Sequence, residues 1–279
     1  MEVSALAIRL FAVALLASGL AACRPSEPGT PAAAPPPAAA EATAPAAPAA
    51  EAPVVLEDVI ETDPRYVVGI SYPPGASADP GLARALHGYA EAARGELLQA
   101  VAGLPGPPTA PYELSLGFRE LMRTPEVVAV AADGSLYTGG AHGQPLVARF
   151  VWLPGQQRML TAQTLLASPD GWGPVADFVG EQLGTAAHTR AADESLEPAD
   201  RERLLAAALK MIDEGTRPEP ANFAQFEPVA GSDGRIAALR FVFPPYQVGP
   251  YADGVQAVTV PAAVLRPHLA PDIAGLFGD

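Results

Sequence analysis

Cysteine and lysine are nearly absent from this chain of 279 residues, which has one of each, Cys23 and Lys210. A single cysteine cannot close an internal disulfide and cannot build a cysteine-rich zinc site. The 17 basic residues form no basic patch, which excludes nucleic acid as a partner. The 31 acidic residues bring the formal net charge to -14, which indicates either plain solubility or a surface that attracts cationic partners.

The stronger catalytic signatures are missing as well. The chain has no Gly-x-Ser-x-Gly elbow, no P-loop and no His-Glu-x-x-His sequence. A loose dinucleotide-like pattern at residues 171–176 follows no predicted strand, and Pro174 removes an amide that a phosphate would use, so we interpret it as the start of a helix. The four histidines are scattered, with no two at a helical ligand spacing: His87, His142, His188 and His268. The sequence therefore assigns no catalytic residue, no metal and no cofactor.

The N-terminus has the layout of a bacterial lipoprotein signal peptide, residues 1–22. Arg9 precedes an apolar run, residues 10–20, that is shorter than the about 20 residues of a membrane-spanning helix. The sequence Leu-Ala-Ala-Cys ending at Cys23 resembles a lipobox, whose cysteine is acylated, for example with palmitate, and becomes the first mature residue. An ordinary signal peptide with an incidental cysteine is the alternative. We expect export and a lipid anchor, and Arg24 favours an outer membrane with the domain facing the periplasm.

The composition changes twice along the chain. Residues 23–53 hold the cysteine and then almost only Ala, Pro, Glu, Thr and Gly, which is typical of an extended, disordered linker. Residues 54–279 are long enough for one domain with a sizeable core, which we expect to be built from two halves.

Helix and hairpin signals alternate within that domain. Apolar residues at spacings of three and four predict helices that begin at Asp79-Pro80, at Gly173-Pro174 and near Pro198, the last ending before Gly215. Runs typical of strands flank Asp-Gly at 133–134 and 233–234 and Pro-Gly at 154–155, which predicts hairpins. The predicted strands are residues 126–131, 135–138, 147–153, 158–165, 235–243 and 255–260. Because hairpins pair antiparallel, the fold class is α+β, an antiparallel sheet with packed helices.

Two short segments hold the less common residue combinations. In Tyr-Thr-Gly-Gly-Ala-His, residues 137–142, the glycines permit a positive φ, and His142 could be a base, a ligand or a lock on the turn. In Phe-Pro-Pro-Tyr-Gln-Val-Gly-Pro-Tyr-Ala-Asp-Gly, residues 243–254, prolines stiffen a chain whose rings can pack inward or contact a partner. Such a segment serves either recognition or internal bracing.

Together the two segments resemble the extracellular domain shared by the anti-sigma factor RsiV and the peptidoglycan deacetylase PdaC, a family labelled domain of unknown function 3298. The resemblance covers most of residues 54–269, with a PdaC-type N-terminal half from Tyr66 onward. It implies a binding module, since in RsiV this domain binds lysozyme, and neither a sigma-binding segment nor deacetylase motifs are found here.

The expected partners are the membrane, through the lipid, and a cell-wall component or a cationic cell-wall-active protein such as a lysozyme. An envelope hydrolase with a site near His142 and an envelope structural protein are the alternatives. The candidate binding residues, carried by the resemblance, are Gly139, Gly140, His142, Phe243, Tyr246, Tyr251 and Gly254.

Overall fold

The computed structural model describes residues 53–192, 195 and 197–278. The expected signal peptide, Cys23 and the linker up to residue 52 lie outside the described residues. In the described range the strands are β1 (Val59–Asp63), β2 (Tyr66–Ser71), β3 (Tyr112–Arg123), β4 (Val128–Tyr137), β5 (Gln144–Leu153), β6 (Arg158–Met159), β7 (Phe226–Ala230), β8 (Ile236–Phe243) and β9 (Gln256–Pro261). The helices are α1 (Pro80–Ala102), α2 (Ala162–Leu165), α3 (Trp172–Ala191), α4 (Pro198–Gly215) and α5 (Ala262–Leu265).

The strands form two sheets. β1 to β6 make one sheet in chain order, and β7 to β9 make a second, smaller one. Neighbouring strands pair antiparallel, except that β2 and β3 pair parallel. A parallel pair needs a crossover connection, which α1 supplies between these two strands. The α+β class predicted from the hairpin signals is therefore confirmed.

The helix α1 covers one face of the larger sheet. Its residues Leu82, Leu86 and Leu97 are fully buried, in agreement with the apolar spacing that predicts this helix. Asp79 precedes the helix but makes no capping hydrogen bond through its side chain. Its carboxylate instead accepts a hydrogen bond from Arg123 at 3.2 Å, which ties the start of α1 to the end of β3.

A second core lies between the other face of the larger sheet and the smaller sheet. Five phenylalanines and a tryptophan fill it, each at most 2% exposed: Trp172, Phe223, Phe226, Phe241, Phe243 and Phe277. The helix α3 packs on β9, and α4 packs on α3. The two predicted halves are thus two cores that share one sheet, since β4 contributes Val130 to the first core and Ala129 to the second.

The hairpin predicted at Asp133-Gly134 is wrong, because β4 runs through both residues without a turn. Gly134 pairs with Leu116 of β3, and a Cβ at this position would overlap the carbonyl oxygen of Ser115. The glycine is therefore required by a close approach of two strands and not by a turn. The turn between β3 and β4 lies earlier, where the amide of Thr124 donates to the carbonyl of Val127 at 2.8 Å.

The other hairpins are confirmed, with one strand shorter than predicted. β5 and β6 pair across Pro154-Gly155, but β6 ends at Met159 because Thr161 and Thr164 form a capping box that starts α2. β7 and β8 pair across the predicted turn at residues 233–234. The helix α3 begins one residue earlier than predicted, and α4 includes Gly215. In the described part of the chain, no helix is long and apolar enough to cross a membrane.

Candidate functional site

The structure brings the two unusual segments together. His142 lies in the loop between β4 and β5, and Tyr246 and Tyr251 lie in the connection from β8 to β9. The rings of His142 and Tyr251 stack with centroids 3.9 Å apart, and Tyr246 lies 5.8 Å from Tyr251. The Tyr246 hydroxyl and the His142 Nε2 are 3.3 Å apart, at hydrogen-bond distance. We refer to His142, Tyr246 and Tyr251 as the ring cluster.

The loop of His142 is shaped by its two glycines. Gly139 has a φ of 99° and Gly140 a φ of 94°, values that glycine adopts without the steric cost a side chain would bring. The Tyr137 hydroxyl donates to the Gly140 carbonyl at 3.3 Å, and the Tyr251 hydroxyl donates to the Gly143 carbonyl at 3.4 Å. The loop therefore holds the imidazole of His142 against the ring of Tyr251.

The second segment, residues 243–254, packs into the core on one side and is exposed to solvent on the other. Phe243 and Val248 are each 1% exposed and belong to the second core. The Gln247 side chain donates to the carbonyl of Gly215, at the end of α4, at 3.0 Å, and a turn hydrogen bond runs from the Gln247 amide to Pro244. Gly254 closes the segment with a φ of 66°. The segment is thus braced internally and also exposes side chains to solvent.

Tyr246 has an unusual combination of backbone and exposure. Its φ is 74°, and its side chain is largely in solvent, with the residue 57% exposed. The left-handed region costs about 1–2 kcal/mol for a residue with a Cβ. Two hydrogen bonds of the turn, including one from the Tyr246 amide to the Gly249 carbonyl at 2.8 Å, hold this conformation. Strain of this kind that the surroundings maintain is common at functional sites.

The imidazole of His142 contacts a backbone carbonyl and a phenol. Its Nδ1 lies 3.2 Å from the Gly143 carbonyl and its Nε2 faces a phenol, and no carboxylate of the described residues is within hydrogen-bond distance of the imidazole. His142 is exposed, so its removal leaves no buried group unpaired. In the described range, no group of three or more His, Cys, Asp or Glu residues is placed to hold a metal ion.

A buried charge network that no sequence pattern predicted joins the two sheets. Arg149 of β5, with a side chain 5% exposed, donates to Glu227 of β7 at 2.6 Å, and Glu227 accepts from Arg240 at 2.9 Å. Asp133 completes the network from β4 by accepting from Arg149 at 2.9 Å. An arginine inside the apolar run Val-Ala-Arg-Phe-Val is the sequence signal that could have indicated it. Burial, with a further contribution from Asp133, raises the pKa of Tyr89 close to this network.

These features define an α+β domain with an exposed ring cluster on a braced loop pair. No family model matches the chain, and no curated protein matches it. Among solved structures, the chain is similar to a DUF3298 family protein from Pseudomonas aeruginosa PAO1, with a TM-score of 0.46, 17% sequence identity, and coverage of 80% of this chain and 96% of that chain. It is also similar to a member of the DUF3298 family from Bacteroides fragilis NCTC 9343, with a TM-score of 0.47, 13% identity, and coverage of 79% and 94%.

Proposed function

We propose that the chain is an exported, membrane-anchored binding module whose ring cluster contacts a cell-wall component or a cell-wall-active protein of the lysozyme kind. The observation that carries the proposal is Tyr246, a tyrosine held in solvent at a φ of 74°. A surface position without a function would be occupied by a residue that adopts a positive φ without this strain. Tyrosine is among the side chains that dominate binding energy when they become buried at the centre of an interface.

The charge of the chain supports a basic protein partner. The formal net charge is -14, and lysozymes are typically small basic proteins. Complementary charge speeds the encounter of two proteins, whereas the dissociation rate depends more on contacts that are buried in the complex. Acidic residues would therefore supply attraction and the ring cluster would supply specificity.

Removing the Tyr246 ring should weaken binding without unfolding the domain. We expect Tyr246→Gly to lower the affinity for lysozyme at least about tenfold, since it removes an exposed ring of the ring cluster. The free energy of unfolding should stay within about 1 kcal/mol of the wild type, because glycine relieves the left-handed strain while it loosens the loop. Surface plasmon resonance and urea denaturation of the same preparation measure both quantities, with sedimentation on insoluble peptidoglycan as a parallel binding assay.

A matched control lies one residue beyond the segment. Val255 is 47% exposed and stands outside the ring cluster, so Val255→Ala should leave the affinity unchanged. An unrelated protein of the same positive charge separates attraction from recognition, because exposed charges are screened beyond about 8 Å at physiological salt. The proposal fails if three results occur together. Lysozyme and the charge-matched control protein bind alike, both lose binding as salt rises, and Tyr246→Gly changes the binding of neither lysozyme nor peptidoglycan.

The lipid anchor is the second part of the proposal and rests on the lipobox-like sequence that ends at Cys23. Cys23→Ala should give a protein that incorporates no labelled palmitate and that is either left uncut or released from membranes. Stable anchoring needs more than one acyl chain, so loss of the acylated cysteine should remove it completely. Unchanged labelling and retention in the Cys23→Ala variant would refute the anchor and leave the binding proposal untouched.

A further inference from the structure

The helices α3 and α4 leave an apolar groove between them, which we call the helix groove. Its volume is about 360 Å³. Its apolar lining includes Ala187, Leu204, Leu205, Ala207, Met211 and Pro250. Pockets that bind small molecules span roughly 300–1,000 Å³ and are mostly apolar with a few polar groups, so the helix groove fits the lower end of this range.

The sequence of α4 leaves this groove open to solvent. Residues 204–209 read Leu-Leu-Ala-Ala-Ala-Leu, yet only Ile212 and Gly215 of the helix are buried. Leu204 is 55% exposed and lines the groove. An apolar chain lying in the groove would cover this leucine and gain the burial that the helix lacks by itself.

Two charged side chains of opposite sign lie at the rim, Arg190 and Asp253, and the arginine is the one that can take an anionic head group. Arg190 lines the groove with a side chain 46% exposed, and its nearest carboxylate, that of Asp253, lies 3.6 Å away. This distance is longer than a hydrogen bond, and among the described residues the Arg190 guanidinium donates no hydrogen bond. Arg190 is therefore only loosely paired with Asp253, and its remaining donors can serve a second carboxylate, which arginine binds in a bidentate manner.

We propose that the helix groove binds an unbranched aliphatic monocarboxylate, with the tail along Leu204 and Met211 and the carboxylate on Arg190. The volume suits one extended chain and not a folded partner. The site is distinct from the ring cluster, although the two share one short stretch of chain. Pro250 and Asp253 line the groove, and Tyr251 between them belongs to the ring cluster.

Neighbouring alanines on α4 allow a matched test of the groove. Ala207 lines it and is exposed, whereas Ala206 is exposed and lies outside it. In the full chain carrying Cys23→Ser, which removes the expected acylation site, decanoate should bind in isothermal titration calorimetry. Ala207→Trp should lower the decanoate affinity at least about tenfold by filling the groove, and Ala206→Trp should leave it unchanged.

The role of the ligand's head group is tested by comparing decanoate with decylammonium, which carries the opposite charge. Arg190→Gln should weaken decanoate about tenfold, the scale of one charge-assisted contact, and should not weaken decylammonium. Near-ultraviolet circular dichroism of each variant verifies that the fold is retained, and Arg190→Gln carries the test if Ala207→Trp does not fold. The proposal is overturned if decanoate fails to bind, if both tryptophan variants weaken it equally, or if decylammonium binds as well as decanoate and Arg190→Gln changes neither.

Discussion

Replacing Glu227 with glutamine is expected to lower the free energy of unfolding by about 3 kcal/mol or more, because it leaves a buried cation without its closest counter-charge. The Glu227 side chain is 10% exposed, and it accepts from Arg149 at 2.6 Å. Glutamine keeps the shape of the side chain and removes only its charge, so the change tests the ion pair and not the packing. Urea denaturation followed by circular dichroism measures the loss.

Two other members of the network provide the controls. Asp133 and Arg240 pair with the same buried groups, but their side chains are 48% and 45% exposed. Asp133→Asn and Arg240→Gln should each cost less than about 1 kcal/mol, since ion pairs with an exposed partner contribute little. If Glu227→Gln costs no more than these two, the pair of Arg149 and Glu227 does not hold the two sheets together.

The substitution Gly134→Ala is expected to destabilise the domain by about 3 kcal/mol or more, because backbone atoms must move to admit a single methyl group. The methyl group would overlap the carbonyl oxygen of Ser115, which is part of β3 and cannot rotate away. A long central strand would have to separate from its neighbour. Thermal unfolding and urea denaturation should both record the loss.

Gly69 offers the comparison within the same sheet. It lies in β2, and a Cβ there would meet nothing within 4 Å. Gly69→Ala should therefore change stability by less than about 1 kcal/mol, and alanine restricts the unfolded chain more than glycine does. Equal effects of the two alanine substitutions would show that β3 and β4 are not as close at Gly134 as the structure places them.

Elements with a strong local signal were predictable from the sequence. The helix α1 follows from apolar residues three and four apart, and the turn at residues 233–234 follows from Asp-Gly between two apolar runs. The same dipeptide at residues 133–134 led to the wrong prediction of a turn, because a local pattern does not show that a neighbouring strand passes close by. The parallel pairing of β2 and β3 was also missed, since no hairpin signal reports on strands joined through a helix.

The members of the candidate site were predictable, but their contacts were not. His142, Tyr246 and Tyr251 were named from the two unusual segments, and the structure stacks two of their rings. The left-handed backbone of Tyr246 carried no local signal, because a positive φ is normally predicted from glycine or asparagine. The pairing of Arg149 with Glu227 depends on how the two sheets face each other, which no pattern along one strand specifies.

The central strand β4 limits how this domain could have been assembled in evolution. Its residues 128–132 are all buried, since one face belongs to the core under α1 and the other to the core of the phenylalanines. A gene fragment that ended after β6 would encode a sheet with one bare apolar face, and such a product would aggregate. Recombination could not exchange the part with β1 to β6 independently of the part with β7 to β9. We therefore expect the two parts to be inherited together wherever this architecture occurs.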